Sequence, residues 1–155
     1  MPVNIGNVSY TAAERHHYSA ESDTWQDNIS LKITNVATGR GWHNPRNPDI
    51  NRMSCAVRLS IALYRAGVRF PPTDFEWTRP SGAVYPSSAG DYPTLLAGGE
   101  SVTSPNSIRG RIGVIHFEMP GADHVTLWNG TRCNFGASDS FFPQSSGVTF
   151  WQMAP

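Results

Sequence analysis

The sequence predicts an α+β domain, one amphipathic helix followed by an antiparallel sheet, and three observations carry that expectation. Between Ser54 and Ala66 the small and apolar residues Cys55, Leu59, Ala62, Leu63 and Ala66 recur at helical spacing. The C-terminal third consists of short β-rich runs bounded by the turn pairs Pro120-Gly121 and Asn129-Gly130. No repeat, low-complexity tract or linker divides the 155 residues, so residues 1–155 are read as a single domain. Although only 39% of the residues are hydrophobic, 5 Trp, 5 Tyr and 7 Phe can fill a core.

Taken in order, residues 1–24 are polar and mixed and suggest no element. Asn28–Val36 alternates weakly and reads as a strand ended by Thr38-Gly39-Arg40-Gly41. Residues 41–51 hold Trp42 and two prolines and read as a loop leading into the helix. Ser54 is the candidate N-cap, which puts Cys55 at the first helical position. Gly67 is the stop, reinforced by Pro71-Pro72. Residues 71–110 are rich in Pro, Gly and Ser, with one short helix near Tyr92–Leu96, and read as loops that shape a substrate site. Strands follow at Arg111–Glu118, His124–Asn129 and Val148–Gln152.

Composition excludes several classes. The formal net charge is +0, and the single lysine and scattered arginines do not make the cationic patch that nucleic acid requires. No apolar run approaches the roughly 20 residues of a membrane span. The N-terminus, Met1-Pro-Val-Asn-Ile-Gly, lacks the basic and apolar regions of a secretory signal, so synthesis in the cytoplasm without a cleavable leader is expected. Cys55 and Cys133 can form one disulfide at most, or serve as a reactive thiol and a bystander. No Cys or His spacing suits a metal site, and no cofactor is implied.

The chemistry centres on Cys55 and His124. A helix N-terminus offers partial positive charge and unpaired amides, which favour a thiolate. A cysteine is also often a small core hydrophobe, and position alone does not separate the two roles. His124 begins a strand on which it shares a face with Thr126 and Trp128, while Val125 and Leu127 face the other way. An imidazole there could take the thiol proton. His116 is the rival base, though it alternates with Val114 and reads as a core or edge histidine; His43 lies in the loop before the helix. Asp139, Asn129, Asn134 and Asp123 are near enough in sequence to orient the imidazole. Asp123 should point away from His124, and Asn129 is taken up by its turn. The Cys55 amide would be one oxyanion donor, with the second left open. Cysteine early on a helix and histidine later on a strand is the layout of papain-like cysteine hydrolases.

Cys55-Ala-Val-Arg-Leu-Ser-Ile-Ala-Leu with Ala66-Gly67 resembles the catalytic helix of the type VI secretion amidase effectors, fourth family. Gly110-Arg-Ile-Gly-Val-Ile-His-Phe, followed by His124-Val-Thr-Leu-Trp-Asn-Gly-Thr-Arg-Cys133, resembles its core strands, and Gly41-Trp42 fits upstream. The resemblance implies a papain-like NlpC/P60-type fold with a catalytic helix packed on an antiparallel sheet. It implies a cysteine amidase that cuts peptidoglycan stem peptides between D-glutamate and meso-diaminopimelate. Delivery by the type VI apparatus, action in the periplasm of a rival cell, and blockade by a cognate immunity protein are implied with it. On this mapping Cys55 is the nucleophile and His124 the base. The family's third residue is an Asp bracketed by two cysteines. Here Cys133 matches the first cysteine and no second follows, so the role falls to Asp139 across an apparent insertion, with Asn134 as the alternative.

Trp42, Arg58 and Trp128 are the candidate substrate contacts, Arg58 (or Arg109 or Arg111) as a clamp on substrate carboxylates. A catalytic Cys55 is expected to react with iodoacetamide well below the pH of an ordinary thiol. The competing readings are a non-catalytic module that binds wall peptide or protein on the same fold, and a related thiol acyltransferase.

Overall fold

A computed structural model describes residues 2–17, 34–35, 55–71, 76–78, 84–86, 88–121, 123–133 and 140–155. Helix α1 spans Tyr10–Arg15, where the Ser9 hydroxyl accepts from the Ala12 amide as an N-cap. Six residues give less than two turns of pattern, which is why the sequence did not reveal this helix. Helix α2, Cys55–Arg65, matches the expected helix, and every residue from Ala56 to Leu63 is buried. Its end is a Schellman motif. Gly67 adopts φ 110°, its amide donates to Tyr64, and the Val68 amide donates to Leu63 at 2.9 Å. Leu63 and Val68 join the same core cluster, supplying the apolar contact that accompanies this cap. The expected N-cap, Ser54, lies outside the described residues.

Among the described residues two antiparallel sheets form. In the first, β1 (Thr34–Asn35) pairs with β2 (Glu76–Thr78), and β2 with β3 (Val84–Pro86). Strands β2 and β3 fall within the stretch read as loops; three residues each, among Pro and Gly, leave no alternation to read. Only positions 34 and 35 of the expected strand at Asn28–Val36 are described. A 3-10 turn at Ala89–Asp91 runs into α3 (Tyr92–Leu95), the expected short helix.

The second sheet has the order β4-β7-β5-β6, with β4 at Glu100–Ser101, β5 at Gly113–Glu118, β6 at His124–Trp128 and β7 at Gly147–Gln152. The three longer strands are those the sequence predicts. Gly113 is required where it sits, because a Cβ there would collide with the Trp151 carbonyl of β7. The Asn129-Gly130 pair makes a tight turn whose carboxamide oxygen accepts from the Thr131 and Arg132 amides and the Thr131 hydroxyl. Among the described residues that turn is closed by a single bridge, Trp128 to Cys133, and not by a further full strand.

Both faces of this sheet are covered. Val114, Val125, Leu127 and Trp151 pack with α1, α2 and α3 in one cluster. Ile115, Phe117, Trp128 and Phe150 pack with Phe142 of α4 (Phe141–Gln144) and with Ile108 and Cys133 in another. Burial of two faces explains why β5 reads as a nearly unbroken apolar run.

Candidate active site

Cys55 is the first residue of α2 and packs, partly buried, against the cluster that contains Val125. Its sulfur lies against main-chain amides: those of Cys55 and Ala56 at the helix start, and that of Val125, the residue after His124. The nucleophile candidate thus touches the strand one peptide from the base candidate. Burial pushes the Cys55 thiol above its ordinary value of 9.0; the Val125 and Ala56 amides, the Arg58 charge and the Cys55 amide pull it down without overcoming burial. This corrects the expectation of a low-pH thiolate. The helix N-terminus does favour the anion, but desolvation is the larger effect.

His124 is held by aromatic rings. It stacks on Phe117 with centroids 6.4 Å apart and planes 23° apart, and meets the edge of Phe141 at 5.1 Å. Phe117 is its direct partner across the β5–β6 ladder. Sequence reading missed both phenylalanines, although pairing the strands about Pro120-Gly121 would have set Phe117 opposite His124. Beside Phe141 a shallow groove of about 610 Å³ is lined by Met119, Pro120, Gly121, Phe141 and Gln144.

The remaining site candidates divide sharply. Asp139, its alternative Asn134, Trp42 and His43 lie outside the described residues. Arg58 is 2% exposed inside α2, one turn from Cys55. A guanidinium enclosed in this way acts on the Cys55 thiol through its charge and is not presented at the surface, which corrects its reading as a substrate clamp. Trp128 is likewise a core residue. Its ring is fully buried in the second cluster and its indole N–H donates to the Ile108 carbonyl at 3.1 Å, so it offers no face to a substrate. Arg111 is engaged with Glu100 at 2.9 Å and with Gln152, across the sheet from β6. Neither Cys55 nor Cys133 is in a disulfide. Among the described residues no group of His, Cys, Asp and Glu could hold a metal ion.

Two histidines outside the expected pair also matter. His116 is 3% exposed and its Nε2 lies 2.9 Å from Asp123 Oδ2, so the rival base is tied to a carboxylate, and Asp123 turns from His124 as its strand position requires. His17, just beyond α1, has both ring nitrogens shielded from solvent. Burial, with the charges of Arg58 and His124 added, pushes it down to about 3. Sequence reading gave His17 no role, since nothing local reveals that it sits within electrostatic reach of Arg58 and His124.

A helix that begins at a cysteine and packs on the histidine-bearing strand of an antiparallel sheet is the architecture of the papain-like NlpC/P60-type fold. The family model described as type VI secretion system (T6SS) amidase effector protein 4, Tae4, matches residues 52–151, and the chain belongs to that family of peptidoglycan amidase effectors. Among solved structures it is similar to the type VI effector Tae4 from Enterobacter cloacae, with 20% identity, 98% of this chain and 100% of that chain covered, and TM-score 0.61. It is also similar to Tae4 in the Tae4–Tai4 effector–immunity complex from Enterobacter cloacae (22% identity, 96% and 99% covered, TM-score 0.65). The complex from Salmonella Typhimurium gives 20% identity, 94% and 95% covered, and TM-score 0.59. No curated protein sequence matches the chain. Among the described residues no helix is long and apolar enough to cross a membrane.

Proposed function

We propose that this chain hydrolyses the D-glutamyl–meso-diaminopimelate bond of peptidoglycan stem peptides, with Cys55 as nucleophile and His124 as general base. The observation that carries the reading is the Cys55 sulfur lying against the Val125 amide, one peptide from His124, at the N-terminus of α2. A thiol raised by burial is protonated at neutral pH, so its proton must leave as it attacks, and a neighbouring imidazole does this. The Cys55 sulfur bonds to the glutamyl carbonyl carbon while His124 takes the thiol proton. The C–N bond then breaks, and the proton passes from His124 to the departing diaminopimelate amine. Water, deprotonated by the same imidazole, cleaves the thioester and restores the thiol. The Cys55 amide donates to the oxyanion. Asp139, or Asn134 in its place, orients the imidazole.

The type VI apparatus delivers the protein to the periplasm of a target cell, where its substrate lies. A cognate immunity protein in the producer blocks the site; in support, structural relatives form effector–immunity complexes. Digestion of purified Gram-negative peptidoglycan by the wild type, Cys55→Ala and His124→Ala, read by mass spectrometry, tests the proposal. Fragments ending in D-glutamate from the wild type alone are expected. Intact muropeptides from the wild type, where a known amidase is active, would overturn it in favour of a binding module.

A further inference from the structure

Histidine 116 is out of place by packing alone. It projects from β5 onto the face shared with Val114, beside Val125 across the ladder, and is 3% exposed. An aliphatic side chain would fill that site without losing hydration, whereas an imidazole there needs a partner. The partner is Asp123. One carboxylate oxygen lies 2.9 Å from His116 Nε2 and the other accepts the Met119 amide at 3.2 Å. One side chain thus closes the β5–β6 turn from both ends.

We propose that His116 and Asp123 form a carboxylate–imidazole latch that fixes the approach of His124 to Cys55; both are positioning residues. Asp123 immediately precedes His124, and His116 is the ladder partner of Val125, whose amide meets the Cys55 sulfur. The latch therefore grips the two residues that present the base and the sulfur-facing amide. Between its ends the turn carries Pro120 and Gly121, the latter at φ 87°. A carboxylate gripping both ends removes the freedom that such a turn would pass on to His124. The latch also bears on the other half of the site. A Cβ on Gly90 would come within 3.5 Å of Asp123 Oδ2, so the 3-10 turn leading to Tyr92 packs against it. The Tyr92 hydroxyl in turn donates to the Ala56 carbonyl at 2.9 Å, one residue past Cys55.

This inference rests on Cys55 and His124 being nucleophile and base, and the test separates the two. Asp123→Ala, Asp123→Asn, His116→Asn and the control Glu118→Gln are compared with the wild type on stem-peptide fragments, well below each Tm. The 1H–15N imidazole spectrum of His124 is recorded alongside. Asp123→Ala is expected to lower kcat by about tenfold or more at nearly unchanged KM, the scale of a small misplacement of a reacting group. It should also shift the His124 resonances. Asp123→Asn should restore most of kcat, because its carboxamide can bridge the Met119 amide and the other tautomer of His116. His116→Asn, which keeps the Met119 bond, should lose less than Asp123→Ala, and Glu118→Gln nothing. A wild-type kcat or unmoved His124 resonances in Asp123→Ala overturns the latch alone. If Asp123→Ala does not fold, a wild-type kcat in His116→Asn overturns it. A wild type that releases no fragment overturns the catalytic reading and the latch with it.

Discussion

The sharpest prediction concerns the resting state of Cys55. Its thiol is raised above 9.0 by burial, against the pull of the Val125 and Ala56 amides, Arg58 and its own amide. A thiol raised by burial holds less thiolate at pH 7 than an ordinary cysteine does. Because iodoacetamide reacts with the thiolate, its rate at Cys55 should fall below that of a small-molecule thiol at pH 7. The rate should rise about tenfold per pH unit to beyond pH 8, with no plateau on the way. The assay is the initial alkylation rate at Cys55 from pH 6 to 10, followed by mass spectrometry of the Cys55 peptide so that Cys133 is not counted. A plateau below pH 8 would refute the reasoning, since it would mean that a standing thiolate–imidazolium pair outweighs desolvation. Amidase activity at pH 7 from a slowly alkylated thiol would show that the proton leaves during attack.

Three further predictions test the fold around the site. His17, pushed down to about 3, binds fewer protons folded than unfolded below its ordinary value of 6.5. Its contribution is therefore complete above pH 6.5 and is lost as pH falls toward 3, amounting to about 2 kcal/mol by pH 5; urea unfolding at pH 7.5 and 5 should show this, and His17→Gln should remove it. A slope unchanged in His17→Gln would rule the assignment out. Gly113→Ala places a methyl against the Trp151 carbonyl, where backbone must yield. It should cost about 3 kcal/mol in urea unfolding, the upper end for overpacking; an unshifted midpoint would show that β5 and β7 can separate there. Trp128→Phe removes the donor to Ile108 and part of a buried ring, so stability should fall by about 2 kcal/mol while KM is unaltered. A raised KM without a stability change would return Trp128 to the substrate site.

What could be read from the sequence follows the reach of local patterns. Helix α2 was legible because eleven residues span three turns and end on a glycine with φ 110°. The long strands of the second sheet were legible from β-rich runs and turn pairs. The short strands β2, β3 and β4 and the six-residue α1 carry too little pattern to separate from loops. At the site, residue types pointed to Cys55 and His124 because a helix start and a strand start are themselves legible. Exposure was not: Arg58 and Trp128 look like surface recognition groups from their chemistry, and only the packing of two clusters shows that both are enclosed. The same limit hid Phe117, Phe141 and His17, whose roles come from ladder register and tertiary contact.

The misjudged thiol and the misjudged arginine have one cause. Burying α2 against the sheet brings the Cys55 sulfur to the Val125 amide, and that contact also takes the sulfur out of water. Proximity and desolvation therefore arise together, and a charge must accompany them if the thiolate is to be reachable at all. Arg58, enclosed one turn along the helix, supplies a positive charge of that kind from inside the fold. A surface arginine would be screened by solvent and could not do the same work. His17 answers the same charge in the opposite sense: burial and the neighbouring Arg58 and His124 hold its imidazole neutral, so it adds no second cation to the site. On the proposed mechanism Arg58 is thus a buried cation close to the thiol, and ionisation of Cys55 is left to the moment when His124 accepts its proton.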